Sequence, residues 1–154
     1  MPIVRAKIPL SYRLLLFIGL LITWLSGLGT YIFQEWVRVD TEFGPSYHPQ
    51  QKNIRRVHGA SAFFMMIVYG YLLASHIPAG WKQNRLRKSG LFLIIAQFIM
   101  IASGYFIYYF AKEEDRITDF IKDTHLIVGI MFPTMLIIHI ICAIYSKPRP
   151  KKKP

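Results

Sequence analysis

Four stretches of this 154-residue chain contain no Asp, Glu, Lys or Arg: Leu14–Phe33, Val57–Trp81, Ser89–Ala111 and Thr124–Ser146. A helix needs about 20 mainly apolar residues to cross the ~30 Å hydrocarbon layer, so each run is long enough to span. Barrel strands would instead show short alternating segments. The chain is 53% hydrophobic, and that excess is gathered into the four runs rather than spread as in a soluble core. The pattern predicts an all-α integral membrane four-helix bundle, with spans at about 14–33, 57–79, 89–111 and 124–146. Residues 1–146 then form one transmembrane domain, and 147–154 a basic tail.

Arg5, Lys7 and Arg13 precede the first run as they would a secretion signal. A signal core is about 7–15 residues and ends at small residues. This run continues through Trp24 to Phe33 with no Ala-x-Ala site, and is read as a retained helix. Cys142, the single cysteine, lies in the fourth run and is read as a packing residue. One thiol excludes intrachain disulfides, Cys-ligated iron–sulfur clusters and Cys-x-x-Cys-His attachment.

The net charge of +11 is distributed by side of the membrane rather than in a nucleic-acid patch. One side carries Arg5, Lys7 and Arg13, then Lys82, Arg85, Arg87 and Lys88, then the five cations of the tail: twelve in all, with no acid. The other side has seven cations and all eight acids. The positive-inside rule therefore predicts both termini in the cytoplasm of a multi-pass bacterial inner (cytoplasmic) membrane protein. The tail is read as a topogenic cluster that adheres to anionic lipid. Of the outer connections, Gln34–Arg56 is long enough to be functional or to hold a short helix. Lys112–Asp123 is read as a short interfacial helical turn.

Five histidines are present, and only His48 falls in a connection. His58 and His76 lie in the second run, His125 and His139 in the fourth; ionisable residues within a span mark functional sites. His58 and His76 are separated by about five helical turns, and His125 and His139 by about 40° less than four. Each pair thus shares a helix face, separated by roughly 27 Å and 21 Å of axial rise. The second and fourth spans run in the same direction, so His58 matches His125 near the outer boundary and His76 matches His139 near the inner one. A lone membrane histidine is often an interhelical hydrogen-bonding group. Four in two depth layers fit two haems with paired axial imidazoles. The two spacings differ by about 6 Å of rise, which helix tilt or a kink at Pro133 would absorb. Pro78 loosens the second helix just after His76.

Several residues fit around such haems. Gly129, one turn after His125, is the foremost candidate for haem contact. Arg55 and Arg56 before His58, and Lys82 and Arg85 after His76, are placed to pair with propionates, with interfacial anchoring an equal alternative. Gly59, Gly70 and Gly104 permit close approach of a macrocycle or of a neighbouring helix.

His58-Gly59, Ser103-Gly104 and His125…Gly129…His139 resemble the small bacterial di-haem cytochromes b. These include the cytochrome b subunits of formate dehydrogenase and nickel–iron hydrogenase, and compact quinone-linked relatives. The resemblance covers residues 10–146. It implies two haem b groups, exchange with quinone/quinol, and an extracytoplasmic redox protein or catalytic subunit as partner. His58, His125 and His139 match the family's ligands. Several members take a ligand from the first helix, where this chain has no histidine, so His76 stands in its place. Three readings are open at this point: an electron-transfer subunit, a stand-alone quinone-linked oxidoreductase, and a haem-free membrane scaffold.

Overall fold

A computed structural model describes residues 8–82, 86–112 and 115–145. The elements in chain order are α1 (Leu10–Glu35), β1 (Arg38–Thr41), β2 (Gly44–Tyr47), α2 (Gln50–Ala74), α3 (His76–Lys82), α4 (Arg87–Tyr109) and α5 (Arg116–Tyr145). Four candidate spans are present among these residues: α1, α2 continued by α3, α4 and α5, each long and apolar enough to cross a membrane. Apolar side chains lie mostly on the outside. Phe63, Ile67, Phe92, Phe98 and Ile144 are all at least 62% exposed, while Met65, Val68 and Ala96 are the buried apolar residues. An arrangement this apolar outside and this sparsely filled inside suits a lipid solvent rather than water. Cys142, expected to pack, is exposed on α5.

Two compact units divide the chain, Met1–Ala79 and Gly80–Pro154. In the first, α1 packs along α2; in the second, α4 packs along α5. The helices outrun the uncharged runs, because charged residues are acceptable where a helix emerges from the membrane. Between α1 and α2 stands an antiparallel β-hairpin, not a short helix. Its register pairs Arg38 with Tyr47 and Thr41 with Gly44. The tight reversal needs Gly44, whose φ of +102° is open to glycine. Thr41 Oγ1 donates to Gly44 O at 2.6 Å, and the Arg38 guanidinium lies 5.1 Å from the Tyr47 ring centroid.

The connection expected at Lys112–Asp123 is shorter than its charge pattern suggests, since residues from Arg116 onward belong to α5. Asp115 Oδ2 accepts from Thr118 N at 3.0 Å and from Thr118 Oγ1 at 2.9 Å, while Lys112 N donates to Thr118 Oγ1. Asp115 thereby satisfies a donor of the first turn as an N-cap does. The α2 helix is interrupted at Ser75, just before Pro78, whose missing N–H and ring disrupt the helical ladder there. By contrast α5 runs on through Pro133.

The two units repeat one plan. The buried positions of α1 are Gly19 and Ser26; those of α4 are Ala96 and Ser103, the same interval apart. Gln51 is buried at the start of α2 and Thr118 at the start of α5, and the step from Gln51 to His58 equals that from Thr118 to His125. Ser103 and His125 are closer in sequence than Ser26 and His58 by the length of the hairpin Arg38–Tyr47, which the second unit lacks.

Candidate histidine sites

The first unit brings His58 against α1. Its Nδ1 lies 3.0 Å from Thr23 O and 3.4 Å from Ser26 Oγ. A Cβ on Gly27 would lie 3.0 Å from His58 Cε1, so the ring occupies space that glycine leaves open. In the second unit His125 Nδ1 lies 2.8 Å from Ser103 Oγ, and a Cβ on Gly104 would lie 3.2 Å from His125 Cε1. Further along α5 the contact recurs: His139 Nδ1 is 3.0 Å from Ser89 Oγ, with Gly90 beside the ring. Because α4 and α5 are antiparallel, the step from His125 to His139 on one meets the equal step from Ser103 back to Ser89 on the other. His125 and His139 therefore do face the same neighbour. One device, a Ser-Gly step on one helix holding an imidazole on the next, occurs three times.

His76 differs. It opens α3, and its Nδ1 is buried without a hydrogen-bond partner among the described residues. The contacts of Gly19 with Met65 and of Gly27 with His58 set a register that brings α1 to its N-terminal end opposite His76. No Ser-Gly step stands there, since that register puts Ile8 and Pro9 opposite His76; the α1 positions matching Ser89 and Gly90 are Tyr12 and Arg13, which fall about one turn earlier on α2, near Leu72. Tyr12 instead donates its hydroxyl to Val68 O and packs on Tyr71, ring centroids 4.4 Å apart.

Gly129 faces α4, where a Cβ would lie 3.2 Å from Met100 Cε; no described atom lies within 4 Å of a Cβ on Gly59 or Gly70. Met65 similarly fills the space beside Gly19. Arg55 and Arg56 are exposed on α2 just before His58. Arg85 lies outside the described residues, as does the tail 147–154. His48 has a different role, since Gln50 N donates to its Nδ1 at 3.1 Å and its ring meets Phe33 edge-on. It closes the start of α2. Among the described residues no three His, Cys, Asp or Glu side chains gather as a bare metal ion would require.

Each unit also has a shallow apolar groove beside the serine of its first clamp, about 430 Å³ near Ser26 and about 350 Å³ near Ser103. Ile22, Leu25, Ser26 and Gly29 of the first correspond, in the register that matches Ser26 to Ser103, to Ile99, Ala102, Ser103 and Phe106 of the second. The shared plan thus extends to the surface.

The histidines and Ser103-Gly104 stand out in the sequence, whereas Ser26, Gly27, Ser89, Gly90 and the Thr23 carbonyl do not. A signal was present: Ser-Gly occurs three times, and two of its copies, at Ser89 and Ser103, are spaced as His125 and His139 are. No family model, curated protein or solved structure matches the chain.

Proposed function

We propose that this chain is a di-haem b-type cytochrome of the bacterial inner (cytoplasmic) membrane, carrying electrons between the quinone pool and an extracytoplasmic redox partner as a subunit of a larger assembly. The observation that carries this reading is the threefold Ser-Gly clamp, which engages the Nδ1 of His58, His125 and His139. Metal-ligating histidines use one ring nitrogen for the metal and fix the other by a hydrogen bond to protein. Glycine at each clamp gives the ring room, and the Nδ1 of His76, buried without a partner among the described residues, offers a fourth imidazole. Haem iron held by two imidazoles supplies one-electron redox chemistry within an insulating layer.

The ligand pairing follows from span direction and depth in the sequence, with His58 and His125 serving one haem and His76 and His139 the other. Arg55, Arg56 and Arg85 are proposed to neutralise propionates, and Gly129 to lie at a macrocycle edge. Resemblance to the di-haem cytochromes b supplies the quinone and the redox partner.

Pyridine haemochromogen analysis of the purified full chain is expected to give about two haems per chain, falling to about one in His76→Ala. A folded protein with no b-type α-band after dithionite would sink the reading. A haem-free scaffold is the second reading, favoured by the same Ser–His hydrogen bonds, which tie helices together without any cofactor. The same spectrum separates the two.

A further inference from the structure

The positions of hydrogens can be deduced at the clamps, because each group has a limited supply of donors. Thr23 O is a carbonyl and only accepts, so His58 Nδ1 is the donor in the 3.0 Å bond. Ser103 has one hydroxyl hydrogen, which it donates to Ile99 O at 2.6 Å. Its 2.8 Å contact with His125 Nδ1 then has the ring N–H donating to Oγ. Ser89 differs, its Oγ 3.3 Å from Leu86 O but 3.0 Å from His139 Nδ1, so its one hydrogen can lie on either contact and this bond does not set the ring's tautomer. His48 shows the opposite state: a backbone N–H donates to its Nδ1, which places the proton of the neutral ring on Nε2.

We infer that the Thr23 carbonyl and Ser103 are positioning groups that hold His58 and His125 as Nδ1–H tautomers, presenting Nε2 to iron. The inference deepens the di-haem reading and rests on it for the identity of the metal. The oxygen accepting from Nδ1–H pushes electron density into the ring and raises its strength as a ligand. Ser103 acts through histidine and need touch no haem. The alternative, a serine that merely packs, would set neither tautomer nor potential.

The test uses the full chain carrying Ser103→Ala or the conservative Ser103→Thr, read three ways. Redox titration is expected to show an upward potential shift for one haem in Ser103→Ala, with Ser103→Thr close to the parent. Haem transfer to apomyoglobin is expected to be about tenfold faster in Ser103→Ala. Ring ¹⁵N shifts of labelled histidine in the unsubstituted protein, prepared without haem, are expected to show Nδ1–H rings for His58 and His125 and an Nε2–H ring for His48. Unchanged potentials and haem retention in Ser103→Ala would overturn the inference, as would Nε2–H shifts at His125. A chain that binds no haem would defeat the di-haem reading, while the nitrogen shifts would still decide the tautomers. The nitrogen measurement needs no substitution, so a poorly folding variant leaves the inference testable.

Discussion

At Gly27 and Gly104 an added methyl would meet the side of an imidazole whose Nδ1 is tied to a neighbouring helix, so the ring has little freedom to yield. Gly27→Ala and Gly104→Ala are expected to displace His58 and His125 and to accelerate haem loss, measured by transfer to apomyoglobin. Gly19 makes an instructive contrast. A Cβ there would lie 2.7 Å from Met65 Sδ, but a thioether can swing aside, so Gly19→Ala is expected to be milder. Gly59 has no protein atom within 4 Å of an added Cβ, and Gly59→Ala is expected to stabilise α2 of the haem-free chain by about 0.5–1 kcal/mol through helix propensity. Glycines of similar appearance in the sequence thus differ in consequence because of what stands opposite each.

For the helices as elements, the start of α5 is the most exacting junction among the described residues. Thr118 is fully buried and serves Asp115 through both its N–H and its hydroxyl. Thr118→Val removes the hydroxyl from that network and is expected to cost about 1–2 kcal/mol, read as a lower unfolding midpoint in detergent. Hydrogen bonds from the Thr118 backbone and side chain hold the Asp115 carboxyl below the usual carboxylate range. A lowered folded-state pKa gives stability that is complete above the unfolded carboxylate value and is lost as pH falls through the folded one. The stability difference between the parent and Asp115→Asn is therefore expected to shrink on acidification below the ordinary carboxylate range, and to stay flat from there to neutral pH. A difference that persists unchanged in acid would contradict the cap.

The molecule as a whole is two versions of one helical hairpin, and its asymmetries fall where the versions diverge. The hairpin end of the first unit carries the β-ribbon, whose tip exposes Phe43 almost completely at 98%. The proposed orientation puts that ribbon outside the cell and both termini inside. A fluorescent protein fused after Pro154 is expected to fluoresce, and a cysteine introduced at Glu42 to react with an impermeant maleimide on intact cells. The opposite labelling pattern would invert the topology. The clamp shared by both units serves His58 and His125, whereas the second clamp exists only in the second unit, leaving His76 without one. The haem proposed to be ligated by His76 is accordingly expected to be the first lost on mild denaturation, followed as a two-step loss of b-type absorbance.

The four spans were legible in the sequence because lipid demands about 20 uncharged residues of any helix that crosses it, a requirement independent of which helix is the neighbour. The same solvent made the histidines conspicuous, since a titratable group within a span is costly and rarely accidental. Periodicity alone put His125 and His139 on one face, and both meet α4 from α5. What lay beyond reach was anything set by a second helix. Ser26, Ser89 and Ser103 are small residues like many others in a span until the register of the helix pair puts each opposite an imidazole. The ring nitrogens' hydrogen bonds, the break at Ser75, the β-ribbon and the duplication of the hairpin depend on such placement too. Local chemistry determined where the chain enters the membrane; only packing between helices decided which atoms hold the histidines.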